Sequence, residues 1–160
     1  MAAVKRLAAN NLSVILRPMN LTDVAAVADI EQQVQFKPWS ASLFADTLKV
    51  SRYFGYVLML EQQLSGFYII EVIADEATLH NIAITPTHQG QGLGRKLIQH
   101  ASEQCQKTGV ARLLLEVRES NTSAIGLYES MGFELDGIRR DYYSAPWGRE
   151  NGLLMSRLLA

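Results

Sequence analysis

Three glycines stand at alternate positions, Gly90, Gly92 and Gly94, inside the stretch from Asn81 to Arg95. Without a Cβ the backbone turns sharply there and comes close to a ligand. An apolar segment, Ile82-Ala83-Ile84, ends at Pro86 just before the glycines, and Leu93 opens a helical pattern just after them. The first turn of that helix presents unpaired amides and the positive end of the dipole, which suits a pyrophosphate. The candidate contacts are those of the turn, Gly90, Gln91, Gly92, Leu93, Gly94 and Arg95. The bland alternative is a flexible glycine turn. A Walker loop would need Gly-x-x-x-x-Gly-Lys-Ser/Thr, which is absent. A dinucleotide fingerprint would need its third glycine later than Gly94.

The second cluster of reactive side chains follows. In Leu113-Leu114-Leu115-Glu116-Val117 a carboxylate interrupts a strand of leucines. Alternation sends Leu114, Glu116 and Arg118 to one face and Leu113, Leu115 and Val117 to the other. Two readings of Glu116 stand. It is a surface glutamate paired with Arg112 or Arg118, or it is a general base whose partial burial raises its pKa. A base of that kind takes the proton that a nucleophile must lose before it attacks. Asn121 reads as a helix N-cap. Tyr128 is a core aromatic beside Ile125 and Met131, or a proton donor.

These residues need elements to hold them. Val14 to Leu16 reads as a short strand, and Asn20-Leu21-Thr22-Asp23 as a helix start before Val24, Val27 and Ile30. Pro38-Trp39-Ser40 opens a second helix with Ser40 as its cap. Tyr53–Leu60, the turn Glu61-Gln62-Gln63 and Leu64–Val72 make an antiparallel hairpin. Ala77–Thr85 is a strand, and Leu93–Lys107 a helix striped by Leu93, Leu97, Ile98, Ala101 and Cys105 and ended by Gly109. Ala111–Val117 is a strand, Asn121–Met131 a helix stopped by Gly132, and Phe133–Arg139 with Leu153–Leu158 completes the sheet. The expected class is α/β, a mixed and mostly antiparallel central sheet with helices on both faces.

Composition narrows the function. The 160 residues suit one domain, 1–160, with residues 1–11 a mobile extension. With 15 basic and 16 acidic residues there is no bulk attraction to nucleic acid, and no apolar run approaches a membrane span. A single cysteine, Cys105, forbids an internal disulfide, and its place on the apolar stripe makes it core. The expected setting is cytoplasmic. His80 and His88 lack a third ligand at convincing spacing, so no metal is expected. Trp39 reads as a packing anchor. Tyr142 and Tyr143 are either packed anchors or peptide contacts.

Gln89-x-x-Gly92-x-Gly94 resembles the Gln/Arg-x-x-Gly-x-Gly/Ala signature of the GNAT acetyltransferases. The run Leu115-Glu116-Val117-Arg118, Ser120-Asn121, Ala124-Ile125 and Leu127-Tyr128-Glu129-Ser130-Met131-Gly132-Phe133 is similar to the RimI-type group of that superfamily. So are Pro38-Trp39-Ser40, Asp75-Glu76-Ala77-Thr78-Leu79, Arg139-Arg140-Asp141-Tyr142-Tyr143 and Gly148-Arg149-Glu150. The resemblance implies the GNAT fold with splayed central strands and acetyl-CoA as cosubstrate. It implies that the Gly90–Arg95 amides hold the pyrophosphate, that Ile82–Ile84 bonds the pantetheine arm and that Asn121 touches the cofactor. Glu116 becomes the proton acceptor and Tyr128 the donor to the leaving sulfur. The implied acceptor is a protein N-terminus, the N-terminal alanine of a small-subunit ribosomal protein, with no nucleic acid or membrane partner. A lysine or small-amine acceptor is the alternative within the superfamily; a non-catalytic acyl-CoA-binding module is the one outside it. Lys37 before Pro38, Ser144 after the tyrosine pair and Asn151 after Arg149-Glu150 depart from the group's usual residues.

Overall fold

A computed structural model describes residues 12–159, so the expected extension at residues 1–11 lies outside the described residues. The elements run β1 (Val14–Pro18), α1 (Val24–Val34), α2 (Ala41–Leu48), β2 (Tyr53–Leu60), β3 (Gln63–Ile73), β4 (Glu76–Ile84), α3 (Leu93–Lys107), β5 (Arg112–Arg118), α4 (Thr122–Ser130), β6 (Glu134–Ala145) and β7 (Gly148–Leu158). The strands form one sheet in the order β1-β2-β3-β4-β5-β7-β6, flanked by helices. Four neighbouring pairs are antiparallel, β1–β2, β2–β3, β5–β7 and β6–β7, and β4–β5 is parallel. The parallel pair follows from its connection: two parallel strands need a long crossover, and α3 supplies it. The mixed, mostly antiparallel sheet is the architecture expected.

Backbone contacts divide the chain into two compact units. The first contains the described part of Met1–Glu71 together with Asn81–Ala101. Its entry is fixed by a capping box: Asn20 accepts from Thr22 N, and the Asp23 carboxylate accepts from Asn20 N at 2.9 Å. Arg17 clamps the same carboxylate with bonds of 2.7 and 2.8 Å, which hold the Asp23 carboxyl below its usual range. Ser40 caps α2 by accepting from Leu43 N, as its place after Pro38-Trp39 predicts. Val24, Val27, Ile30, Phe44, Val57, Phe67, Ile69 and Ala83 then form one core cluster. Within it the Trp39, Phe44 and Phe67 rings follow one another at 5.1 and 5.5 Å.

The second unit contains Val72–His80 and the described part of Ser102–Ala160. The β4–β5 ladder covers Glu76–Leu79 against Arg112–Leu115, while β4 itself runs on to Ile84 and β5 to Arg118. Burial alternates along β5, with Leu113, Leu115 and Val117 inside. One expectation needs correction. The last two strands do not stop at Arg139 or wait until Leu153. They run to Ala145 and from Gly148 as a long hairpin. Charged and tyrosyl residues there hide the period of two that reveals a strand. From Arg139 to Tyr143 the chain advances four residues while its partner advances two, from Gly152 to Glu150. Asp141 takes a left-handed φ of 51° in this bulge, and its amide donates to Asn151 Oδ1 at 2.9 Å.

Candidate active site

In the first unit the glycine turn has the conformation its composition demands. Gly90 and Gly92 have φ of 76° and 80°, values that side chains disfavour. Among the described residues, apart from the adjoining ones in the chain, no heavy atom lies within 4 Å of where a Cβ would stand at either one, so the loop is open at both glycines. The first helical bond of α3 runs from Lys96 N to Gly92 O at 3.3 Å, so the amides ahead of it lie at the positive end of the helix. An open loop of backbone donors fits a diphosphate. Gln89, the first residue of the signature, donates from Nε2 to Ile84 O at 3.0 Å and ties the loop to the end of β4.

The backbone of Ile82–Ile84 is positioned from two sides. Gly66 on β3 comes so near that a Cβ would meet Ile84 Cδ1 at 2.6 Å and Ala83 O at 3.0 Å. Glu31, fully buried on α1, accepts at Oε2 from Asn81 Nδ2 at 2.8 Å and from Trp39 N at 3.1 Å. Burial pushes the Glu31 carboxyl up, against those two bonds. Sequence reading missed both residues. Glu31 carries a signal, since it falls four residues after Val27 on the buried stripe. Gly66 looks like any strand glycine until β4 is packed on it.

In the second unit Glu116 is half-buried in the middle of β5, with 23% of its side chain exposed. Its cation is neither of the two expected ones. Arg112 bonds Ser156 Oγ at 2.8 Å, and Arg118 pairs with Glu150 at 3.0 Å. Arg139 Nε instead lies 3.5 Å from Glu116 Oε1. That oxygen is shielded from solvent and has no hydrogen-bond partner, so the contact is an ion pair without a hydrogen bond. Burial pushes the Glu116 carboxyl up, and Arg139 pulls it partly back. β7 lies between β5 and β6, and its Gly152 makes the meeting possible. A Cβ there would stand 2.8 Å from Glu116 Oε1 and 2.9 Å from the Tyr143 ring.

Tyr128 is buried on α4 with its ring 5.8 Å from that of Phe133. Burial pushes its phenol up to about 12, so it keeps its proton at neutral pH. Asn121 caps α4 by accepting from Ala124 N at 3.2 Å, which uses its carbonyl and leaves the carboxamide N–H groups for other work. Tyr143 is half-buried under Arg118, whose guanidinium carbon lies 4.4 Å from the ring centre, and burial first, then Glu116, pushes its phenol up to about 12. Tyr142 is 48% exposed and lies against Arg139 at 4.9 Å. Cys105 is buried, as its stripe position implies. The turn and strand residues Ile82–Arg95 thus fall in the first unit, and Glu116, Asn121 and Tyr128 in the second.

The chain as a whole matches known proteins in sequence and in fold. The model of the acetyltransferase (GNAT) family matches residues 24–133. The Escherichia coli ribosomal protein bS18-alanine N-acetyltransferase is 45% identical over 138 residues, covering 86% of this chain and 93% of that protein. The Haemophilus influenzae protein of the same description is 42% identical over 143 residues, covering 89% and 97%. Among solved structures, an Escherichia coli ribosomal-protein alanine N-acetyltransferase superposes with a TM-score of 0.88 at 42% identity, covering 92% of this chain and 95% of that one. Ard1 from Thermoplasma volcanium shares the fold at a TM-score of 0.83 and 22% identity, covering 92% and 98%. Sequence, fold and signature turn agree, and the chain belongs to the acetyltransferase (GNAT) family.

Proposed function

We propose that the protein transfers the acetyl group of acetyl-CoA to the N-terminal alanine of a small-subunit ribosomal protein in the cytoplasm. The observation that carries this reading is the near full-length identity to enzymes described by that reaction, 45% over 93% of the Escherichia coli protein. Glu116, held in mid-strand with its carboxyl pushed up by burial, supplies the base such a reaction needs.

Acetyl-CoA, when bound, supplies an acyl carbon activated as a thioester. The Gly90–Arg95 backbone holds its diphosphate, and Ile82–Ile84 aligns its pantetheine arm by backbone bonds. Asn121 adds a carboxamide contact to the cofactor. Glu116 accepts the proton of the attacking α-amine, directly or through a water. The neutral Tyr128 hydroxyl donates a proton to the departing sulfur. Holding both reactants in line supplies much of the acceleration, since effective molarities for oriented groups are large. The α-amine favours this chemistry over a lysine: its pKa of about 8 leaves far more neutral amine at pH 7 than the lysine value of about 10.4.

The test is a peptide panel incubated with the enzyme and acetyl-CoA, followed by mass spectrometry of the modified nitrogen. An alanine-starting ribosomal-protein peptide acetylated at its α-nitrogen is the expected result. Acetylation confined to lysine Nζ of N-terminally blocked peptides would replace the acceptor. Binding of acetyl-CoA without turnover on any amine would remove the enzymatic reading.

A further inference from the structure

The two oxygens of Glu116 are not equivalent. Oε1 is closed off from solvent, although the side chain as a whole is 23% exposed. A buried carboxylate oxygen with no donor is costly, and a nearby cation offsets that cost. Arg139 is that cation, at 3.5 Å. Its register explains how it arrives there. Arg139 pairs with Gly152 on β7, and Glu116 pairs with Leu154, two residues along the same strand. Gly152 has no side chain, so Arg139 reaches over it. The guanidinium carbon also lies 4.9 Å from the centre of the Tyr142 ring, a contact for which a planar cation is suited.

We propose that Arg139 is a positioning residue for the reaction: it occupies the solvent-shielded oxygen of Glu116, so that the proton of the attacking amine goes to the other oxygen. The proposal rests on the reading of Glu116 as the base. The other groups around this carboxylate do not duplicate the role. Tyr143, also from β6, is held neutral. Arg118, on β5 itself, is committed to Glu150 and to the Tyr143 ring. On β7, the ladder partner of Glu116 is Leu154 and the residue whose missing side chain makes room for Oε1 is Gly152, both uncharged. Arg139 favours the ionised form that a base must have. Removing its charge therefore makes Glu116 hold its proton to higher pH. Because the Arg139 side chain is 51% exposed, solvent limits the size of the effect.

Two readouts test this. The first is the titration midpoint of the Glu116 carboxyl carbon by NMR in free enzyme carrying labelled glutamate, the signal being assigned by its loss in Glu116→Gln. The second is the acid limb of kcat for an alanine-starting peptide. The acceptor's own amine titrates alike with every variant, so a difference between variants belongs to the enzyme. In Arg139→Gln both midpoint and limb move up by about half a pH unit at low salt, the size expected of a half-exposed ion pair. Arg139→Lys keeps the charge and restores most of the shift. If the glutamine variant does not fold, the unsubstituted enzyme still decides. Its midpoint rises as ionic strength goes from about 0.05 M to about 0.5 M, where the Debye length falls from about 14 Å to about 4 Å. An unmoved midpoint and limb in Arg139→Gln, or no salt response where that variant cannot be made, overturns the proposal. Full turnover in Glu116→Gln would instead remove Glu116 as the base, a separate failure.

Discussion

At the scale of single residues, the proposed reaction makes opposite demands on Glu116 and Tyr128. A base must be ionised yet willing to take a proton, and half-burial with a cation 3.5 Å away gives Glu116 both properties. An acid must keep its proton until the sulfur leaves, and a buried phenol pushed up to about 12 does so. In Glu116→Gln, acetyl-CoA affinity by calorimetry should stay within about twofold while kcat falls about 100-fold or more, the range of a lost general base. Tyr128→Phe should slow kcat less, by about 10-fold, because a thiolate with a pKa near 8.5 leaves tolerably without help. The sign of the pH dependence follows from burial. The raised Glu116 carboxyl loses its proton only above the usual glutamate range, so activity is lost as pH falls through that raised value. Equal kcat in the glutamine variant across the pH range would contradict the assignment. Glu116 was legible in the sequence as a carboxylate among leucines. Its partner was not, because Arg112 and Arg118 are near in the chain and Arg139 is near only across β7.

At the scale of elements, capping and glycine chemistry explain most of what the sequence foretold. Asn20, Ser40 and Asn121 each cap the turn they precede, since a local hydrogen bond needs only local sequence. The helix Leu93–Lys107 is found at its expected bounds, because its buried stripe and the glycines around it, Gly92 and Gly109, both mark them. The hairpin of β6 and β7 is longer than foretold because its polar outer half is held by ladder bonds and a bulge, not by an apolar pattern. Gly66 belongs to this scale as well. Gly66→Ala should destabilise the fold by about 1–3 kcal/mol in urea unfolding, the usual cost of overpacking. The added methyl would press on Ala83 O, a backbone atom of the strand assigned to the pantetheine arm. Acetyl-CoA affinity should therefore weaken with stability. A variant as stable and as tight-binding as the parent would show that β4 yields freely.

At the scale of the molecule, the lone cysteine is a reporter. Cys105 is fully buried, and burial pushes its thiol up to about 11. A native thiol that is both inaccessible and protonated does not react, since the thiolate is the nucleophile. Between pH 7 and pH 9, a thiol reagent should label folded protein only at the rate of opening, and unfolded protein at once. Rapid labelling of the native protein would place Cys105 outside the core. Among the described residues no helix is long and apolar enough to cross a membrane, and no three potential ligand side chains gather into a metal group.

Sequence by itself determined the glycine turn, the helix caps, the apolar stripe of Leu93–Lys107, the alternation around Glu116 and the candidate base, because each depends on residues a few positions apart. Tertiary structure alone decided which cation stands beside Glu116, which glycines make room rather than turn the chain, and which buried carboxylate fastens Asn81 and the Trp39 amide. The physical reason is common to all three. Gly66, Gly152 and Glu31 act on Ala83, Glu116 and Asn81, groups far away in sequence, and the distance across a ladder or a helix contact leaves no trace in local spacing.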